Sequence, residues 1–317
     1  VAVLGASASE PPPGIDRAET LAKIVYAPDG EALGGRAATA DALFFWRARR
    51  DGLESAWPLA RLRWIQSASD GVDGLLFPAL VKSDVTVTNM RGVFDDSIAE
   101  WAIAAILAFE TGLRASVLDT ATGVWNDERP RGRAKGSRLL VVGPGPIGRA
   151  SGRRALALGM EVELLGRAAR PDAEFGHVLG PEDLLAALSR ADHVLDTLPL
   201  APGTRLFFGP GEFAAMKPSA IFYNVGRGAT VDQRALIEAL ADGSIGGAAL
   251  DVFEEEPLPQ GSPLWSLPNV IVSPHICGDF EDWERAVVEV FVDNLGRFVG
   301  GEPLRNLVDK AAGFGLG

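Results

Sequence analysis

Cysteine is nearly absent: Cys277 is the one thiol in 317 residues. A single thiol cannot close an internal disulfide, and without a CxxC pair or a Cys/His cluster no structural zinc or other metal is expected. A reducing compartment fits best. Long hydrophobic runs are missing too. The longest uninterrupted apolar stretch, Trp101 to Phe109, is far short of the roughly 20 residues that cross a bilayer. No basic segment precedes the first apolar residues, so a cytoplasmic location is expected, for a sequence that opens at Val1 and not at a methionine. Positive charge is scarce: 30 Lys and Arg against 42 Asp and Glu leave a net charge of -12. That balance repels polyphosphate backbones and anionic lipid, so neither nucleic acid nor membrane is an expected partner. Linker tracts and internal repeats are also lacking. Glycine, by contrast, is plentiful at 37 residues, and its place is inside motifs. Hydrophobic residues at 47% and charged residues at 23% describe an ordinary folded chain, whose length predicts about two domains.

Short apolar runs alternate with helical stretches. In the first ninety residues the expected strands are Val1–Leu4, Lys23–Tyr26, Ala42–Trp46, Arg63–Gln66 and Val85–Thr88, with helical segments such as Ile15–Leu21 and Leu53–Leu62 between them. From Ser97 to Ala121 apolar residues recur at helical intervals, and Ser97 suits an N-cap, which predicts one long, mostly buried helix. A basic break from Arg129 to Gly136 follows. Six further strands, Arg138–Val142, Glu161–Leu165, His193–Thr197, Ala220–Asn224, Ala248–Leu250 and Val270–Val272, alternate with helices such as Ile147–Leu158 and Asp232–Ala241. This pattern predicts a doubly wound parallel sheet. Glu281–Val299 reads as an amphipathic helix with Trp283, Val287, Val290, Phe291 and Leu295 near one face.

The strand Leu139–Val142 runs straight into Gly143-Pro144-Gly145-Pro146-Ile147-Gly148. In such a GxGxxG loop the first glycine permits a tight turn, the second lets backbone approach a pyrophosphate, and the third lets helix and strand pack closely. The loop alone also suits other nucleotide ligands, S-adenosylmethionine included. The tip of the next strand narrows the choice. Where an acid would bind the ribose of NAD, the chain has Gly166-Arg167-Ala168-Ala169-Arg170, with no acid before Asp172. Arg167 and Arg170 suit the 2′-phosphate of NADP, with NAD as a possible second cofactor. The plainer reading is a solvated basic turn.

Three segments follow later strands: Asn224-Val225-Gly226-Arg227-Gly228, Asp251-Val252-Phe253-Glu254-Glu255-Glu256-Pro257 and Ser273-Pro274-His275-Ile276-Cys277-Gly278. Ligands of doubly wound sheets gather at the carboxyl ends of the strands, where all three would meet, and the flanking glycines would leave Arg227 unobstructed. Arginine can hold a carboxylate and polarise a carbonyl, histidine can protonate a developing alkoxide, and a carboxylate can orient that imidazole. Together they describe hydride reduction of a 2-oxo acid. Singly, each has a duller reading: Arg227 as partner of Asp232, the glutamates as a solvated loop, His275 as structural.

These segments, with Thr197-Leu198-Pro199-Leu200-Ala201-Pro202-Gly203-Thr204-Arg205 between them, Val87-Thr88-Asn89 and Glu100 upstream and Gly301 to Asn306 downstream, resemble the D-isomer-specific 2-hydroxyacid dehydrogenases over most of the chain. The resemblance implies an α/β fold of two Rossmann-like, doubly wound parallel-sheet domains with a cleft between them. Residues 1–90 with 280–317 would form a flavodoxin-like substrate-binding domain and residues 91–279 the dinucleotide-binding domain. It further implies a homodimer and (R) stereochemistry. Arg227 falls on the substrate-binding arginine, His275 on the acid/base histidine and Glu256 on its carboxylate partner. Cofactor contacts are implied for Gly143, Gly145, Pro146, Ile147 and Gly148, and for Thr197, Leu198, Pro199 and Thr204. Further ones are implied for Val225, Gly226, Arg227, His275 and Gly278, with Asp251 at the nicotinamide carboxamide. The backbone amides of Asp70 and Gly71 match those that bind the substrate carboxylate, and Trp46 resembles a substrate-side aromatic, with a core tryptophan as the equally good reading.

Departures from the family pattern are informative. Gly166-Arg167 replaces the usual aspartate and resembles the NADPH-dependent glyoxylate/hydroxypyruvate reductase branch. Asp70 places a carboxylate where small neutral residues are common, and Pro144 and Pro146 remove two amide donors from the loop. Cys277 reads as packing. An NAD-dependent relative is the alternative enzyme. Glu256 stands where a formate dehydrogenase would carry a neutral amide, and a chain ending at Gly317 leaves no length for the regulatory domain of some phosphoglycerate dehydrogenases. A cofactor-sensing interaction protein of the same fold is the alternative outside enzymes, and a methyltransferase leaves the three later motifs unexplained.

Overall fold

Strands buried on both faces need apolar residues at every position, and helices laid over those faces supply the cover. The computed structural model describes residues 1–128 and 131–315; Arg129 and Pro130, which open the expected basic break, and Leu316 and Gly317, at the end of the expected substrate-binding segment, lie outside the described residues. The chain divides into two units, Val1–Phe94 with Phe280–Gly317, and Asp95–Asp279.

In the first unit β1 (Ala2–Leu4), β2 (Val25–Ala27), β3 (Ala42–Phe45), β4 (Trp64–Ser67) and β5 (Thr86–Thr88) form a parallel sheet in the order β2-β1-β3-β4-β5. Successive residues of a strand face opposite ways. Leu4, Leu43, Ile65 and Val87 therefore pack on one face with Leu33, Leu53 and Leu80. Val3, Phe44 and Trp64 pack on the other with Val287, Phe291 and Leu295 of the helix Trp283–Gly300. The Phe44 and Phe291 rings stack with centroids 4.2 Å apart.

In the second unit eight strands lie in the order β13-β12-β11-β10-β6-β7-β9-β8. They are β6 (Arg138–Val142), β7 (Glu161–Leu165), β8 (Arg170–Asp172), β9 (Gly176–Leu179), β10 (His193–Asp196), β11 (Ile221–Asn224), β12 (Gly247–Leu250) and β13 (Val270–Val272). All are parallel except β8, which pairs antiparallel with β9. Winding reverses between β6 and β10, the switch point at which such sheets bind ligands.

Three expectations are corrected. The helix foreseen over Ser97–Ala121 is two helices, Asp95–Glu110 and Leu113–Thr122, bent by 70° at a break where Gly112 takes a left-handed φ of 72°. Only the first is buried along one face; the second has no buried residue. Ser97 is not a cap, since the helix begins two residues earlier and its hydroxyl donates to the Gly278 carbonyl at 2.8 Å. The edge hairpin β8–β9 was not foreseen. No single helix among the described residues is long and apolar enough to cross a membrane.

Candidate active site

The glycine loop joins β6 to the helix Pro146–Ala157 beside the switch point. Gly143 has φ 110°, and a Cβ there would stand 2.5 Å from Thr197 Oγ1. Thr197 in turn donates to the Gly143 carbonyl at 2.8 Å, tying the loop after β10 to the loop after β6. A Cβ on Gly148 would run into the Gly143 carbonyl. Gly145 differs: it caps the helix, and a Cβ on it would meet nothing within 4 Å. The close-packed glycines shape the turn, and the open one leaves the helix N-terminus accessible to an anion, which fits a dinucleotide pyrophosphate. Thr204 stiffens the neighbouring loop, its hydroxyl bonded to the carbonyls of Pro199 and Ala201 and accepting the Ala201 amide at 2.8 Å.

At the tip of β7, Arg167 and Arg170 are exposed. Asp172, the first acid after the strand, is held by the Arg149 guanidinium of the glycine-loop helix. That bond, with the Phe175 and Glu174 amides, holds the Asp172 carboxyl well below the usual range. Gly166 is closed to larger residues, because a Cβ would stand 2.9 Å from the Pro144 ring and 3.1 Å from Val178 Cγ1.

His275 and Glu256 pair directly, with Nδ1 to Oε2 at 2.7 Å. Glu256 Oε1 accepts the Phe253 amide at 2.9 Å, so the carboxylate is fixed from both sides. With Nδ1–H committed to Glu256, Nε2 is the ring nitrogen left for chemistry, on a side chain 48% exposed. The hydrogen bond to Glu256 raises the His275 pKa against the opposing effect of burial. Burial pushes Glu256 up, but its bonds from His275 and Phe253 outweigh that and hold it low. The Arg227 guanidinium acts electrostatically on both and donates to the Gly226 carbonyl at 2.7 Å. His275 itself sits at φ 56°, a left-handed conformation that non-glycine residues adopt at a cost.

Asp251 holds that conformation. Fully buried, it accepts from Ser273 Oγ at 2.5 Å and from the Ile276 and Cys277 amides, while its carbonyl accepts the His275 amide at 2.8 Å. Its carboxylate thus organises the loop that carries His275. Burial beside Asp251 pushes the Cys277 thiol far up, which removes it as a nucleophile. Gly226 and Gly228 also have a different role from the one expected. Instead of leaving Arg227 unobstructed, they admit close backbone neighbours: a Cβ would strike Leu198 from Gly226 and Phe253 from Gly228.

Sequence reasoning missed Asp196, Thr230 and Arg149. Asp196 is fully buried, accepts the Leu198 amide at 2.8 Å and lies 2.6 Å from the Thr230 hydroxyl. An acid closing a buried strand, immediately before Thr197, was the signal available. Val225 is buried behind it, its amide on the Asp196 carbonyl. In the first unit, Trp46 is 8% exposed and packs against Phe44 and Trp283. Asp70 and Gly71 follow β4, and the Asn89 amide fixes the Asp70 carbonyl and carboxylate at 2.7 and 2.9 Å.

Known proteins resemble the chain in sequence and fold. The profile of D-isomer specific 2-hydroxyacid dehydrogenase, NAD binding domain, matches residues 103–277. Glyoxylate reductase of Thermococcus litoralis is 35% identical over 260 residues, 79% of this chain and 78% of that enzyme. D-3-phosphoglycerate dehydrogenase of Methanocaldococcus jannaschii is 33% identical over 300 residues, 93% of this chain but 54% of that enzyme, so the chain spans about half of its length. The crystal structure of an NADPH-dependent glyoxylate/hydroxypyruvate reductase from Sinorhizobium meliloti, in complex with NADP and sulfate, superposes with a TM-score of 0.83 at 27% identity, covering 99% of both chains. With the glycine cradle, the Glu256–His275 pair and Arg227 on one sheet, and this likeness along nearly its whole length, the chain belongs to the D-isomer specific 2-hydroxyacid dehydrogenase family.

Proposed function

We propose that the protein reduces a small 2-oxo acid to its (R)-2-hydroxy acid with NADPH, and that NADH serves less well. The observation that carries this reading is the 2.7 Å Glu256–His275 pair beside Arg227 at the carboxyl ends of the strands that bear the glycine cradle. Arg227 binds the substrate carboxylate and polarises the adjacent carbonyl. His275 Nε2 gives its proton to the carbonyl oxygen, which becomes the hydroxyl, and takes another from solvent afterwards. Glu256 keeps the imidazole oriented and protonated. A nicotinamide cofactor, whose pyrophosphate the cradle of Gly143, Gly145 and Gly148 would hold, would supply the hydride. Relatives named glyoxylate reductase and glyoxylate/hydroxypyruvate reductase favour those two acids as substrates.

The test is oxidation of NADPH and NADH by the purified protein with glyoxylate, hydroxypyruvate, and branched and aromatic 2-oxo acids. Turnover that favours NADPH is expected. Cofactor binding without turnover on any acid would replace this reading with that of a cofactor sensor.

The NADP preference is assigned to Arg167 and Arg170, supported by the occupation of Asp172 by Arg149 and by the closure of Gly166 to an aspartate. Replacing both arginines by alanine is expected to raise the KM for NADPH on the order of 10–100-fold, the weight of one or two charge-assisted bonds, with NADH changed less than about twofold. Equal losses with both cofactors would refute the assignment.

A homodimer is part of the same proposal, and a cytoplasmic location rests on the lone, buried thiol. The helix Leu113–Thr122 and the residues after it expose Leu113, Val117 at 61%, Leu118, Val124 and Trp125 at 91%, a patch suited to a second copy. Light scattering is expected to give twice the 33.4 kDa chain mass, and Val117→Asp with Trp125→Asp a monomer. An unchanged dimer in the double variant would move the interface elsewhere.

A further inference from the structure

Asp196 closes β10 between Val142 of β6 and Asn224 of β11, with no exposed surface. Its Oδ2 lies 2.6 Å from Thr230 Oγ1, and that hydroxyl lies 2.6 Å from the Arg227 carbonyl. Oxygen–oxygen contacts this short each need a proton between them, and a threonine hydroxyl carries one. With Asp196 ionised, one proton would serve two contacts. With Asp196 neutral both are satisfied: the acid donates to Thr230, and Thr230 donates to Arg227. The other donors to the Arg227 carbonyl, Asn224 Nδ2 and the Thr230 amide, both at 3.1 Å, fit either state.

We infer that Asp196 is a neutral positioning residue, whose proton, passed as a hydrogen bond through Thr230, fixes the Arg227 backbone and hence the guanidinium that meets the 2-oxo acid. The inference rests on the role of Arg227 proposed above. Burial raises the Asp196 pKa to about 7, only partly offset by the bonds from Thr230 and Leu198. Val142 and Asn224, its neighbours on the flanking strands, are uncharged, and the charged group on the facing turn, Arg227, bonds the Gly226 carbonyl instead. Near neutral pH the grip on Arg227 is therefore titratable, and it loosens as pH rises.

Asp196→Asn imitates the neutral acid, since its amide can donate to Thr230 and its oxygen accept from Leu198. With glyoxylate and NADPH, the wild-type KM for glyoxylate is expected to rise roughly tenfold from about pH 6 to 8.5, the weight of one hydrogen bond. In Asp196→Asn it stays flat, while kcat in both proteins follows His275. Thr230→Val is expected to show the raised KM already at the acid end. A wild-type KM profile in Asp196→Asn, or a normal KM in Thr230→Val, overturns the inference.

Thermal melting reads the proton independently of activity. A carboxyl raised on folding contributes stability that is full below its unfolded pKa of about 3.9 and is lost as pH rises to its folded one. The melting temperature of Asp196→Asn should therefore gain on that of wild type between about pH 5 and 8, by on the order of 5 °C. A constant difference across that range overturns the neutral acid. If Arg227→Ala leaves the glyoxylate KM unchanged, it is the role of Arg227 that fails, and the melting series still reports on Asp196.

Discussion

Replacing His275 by alanine is expected to lower kcat for 2-oxo acid reduction by on the order of 10²–10⁴, the usual weight of a general acid. The pH dependence gives the sharper signature. His275 must be protonated to act, and its pKa is raised by Glu256. Reduction should thus hold through neutral pH and fall as pH climbs through that raised value. Glu256→Gln removes the bond that raises it, so the fall should move to lower pH. A His275→Ala enzyme with near-normal kcat would remove the residue from the mechanism, and an unmoved limb in Glu256→Gln would dissolve the pair.

Arg227→Ala is expected to cost on the order of 10³–10⁴ in kcat/KM, since it removes a charge-assisted carboxylate contact together with the group that polarises the carbonyl. Arg227→Lys should recover little of this. A lysine keeps the charge but not the planar fork that engages two oxygens at once. Steady-state kinetics with glyoxylate or the best acid of the panel decide the matter. A lysine variant within about threefold of wild type would reduce Arg227 to a point charge.

The central strands were legible because parallel strands buried on both faces read as unbroken apolar runs; Leu139–Val142 and Ile221–Tyr223 are of this kind. The β8–β9 hairpin was not, because Arg170-Pro171-Asp172 is a polar edge with a proline inside it. The helix break was hidden for a different reason: Gly112 is one glycine in an apolar periodicity that continues on both sides, and its left-handed φ has no signature in composition. At the site, the residue types and their order along the chain could be read directly. What could not be read was the second layer. Asp251 organising the 273–277 loop, Asp196 reaching Arg227 through Thr230, and Arg149 occupying Asp172 are contacts between segments distant in sequence. Trp46 was ambiguous for the same reason, since an aromatic after a strand serves a core or a ligand equally well until its neighbours are known.

The division of the chain also sets an order of biosynthesis. Asp95–Asp279 is one continuous stretch, whereas the first unit draws Val287, Phe291 and Leu295 from the helix Trp283–Gly300 to cover one face of its sheet. During translation at roughly 5–20 residues per second, that face waits roughly 10–40 s after β5 leaves the ribosome before its cover is made. Of the two units, the one that begins earlier in the chain is thus completed last. In the interval Val3, Phe44 and Trp64 present an apolar sheet surface to whatever the nascent chain meets, so chaperone demand during synthesis should fall on the amino-terminal sheet, while the dinucleotide unit, continuous in sequence, closes on its own.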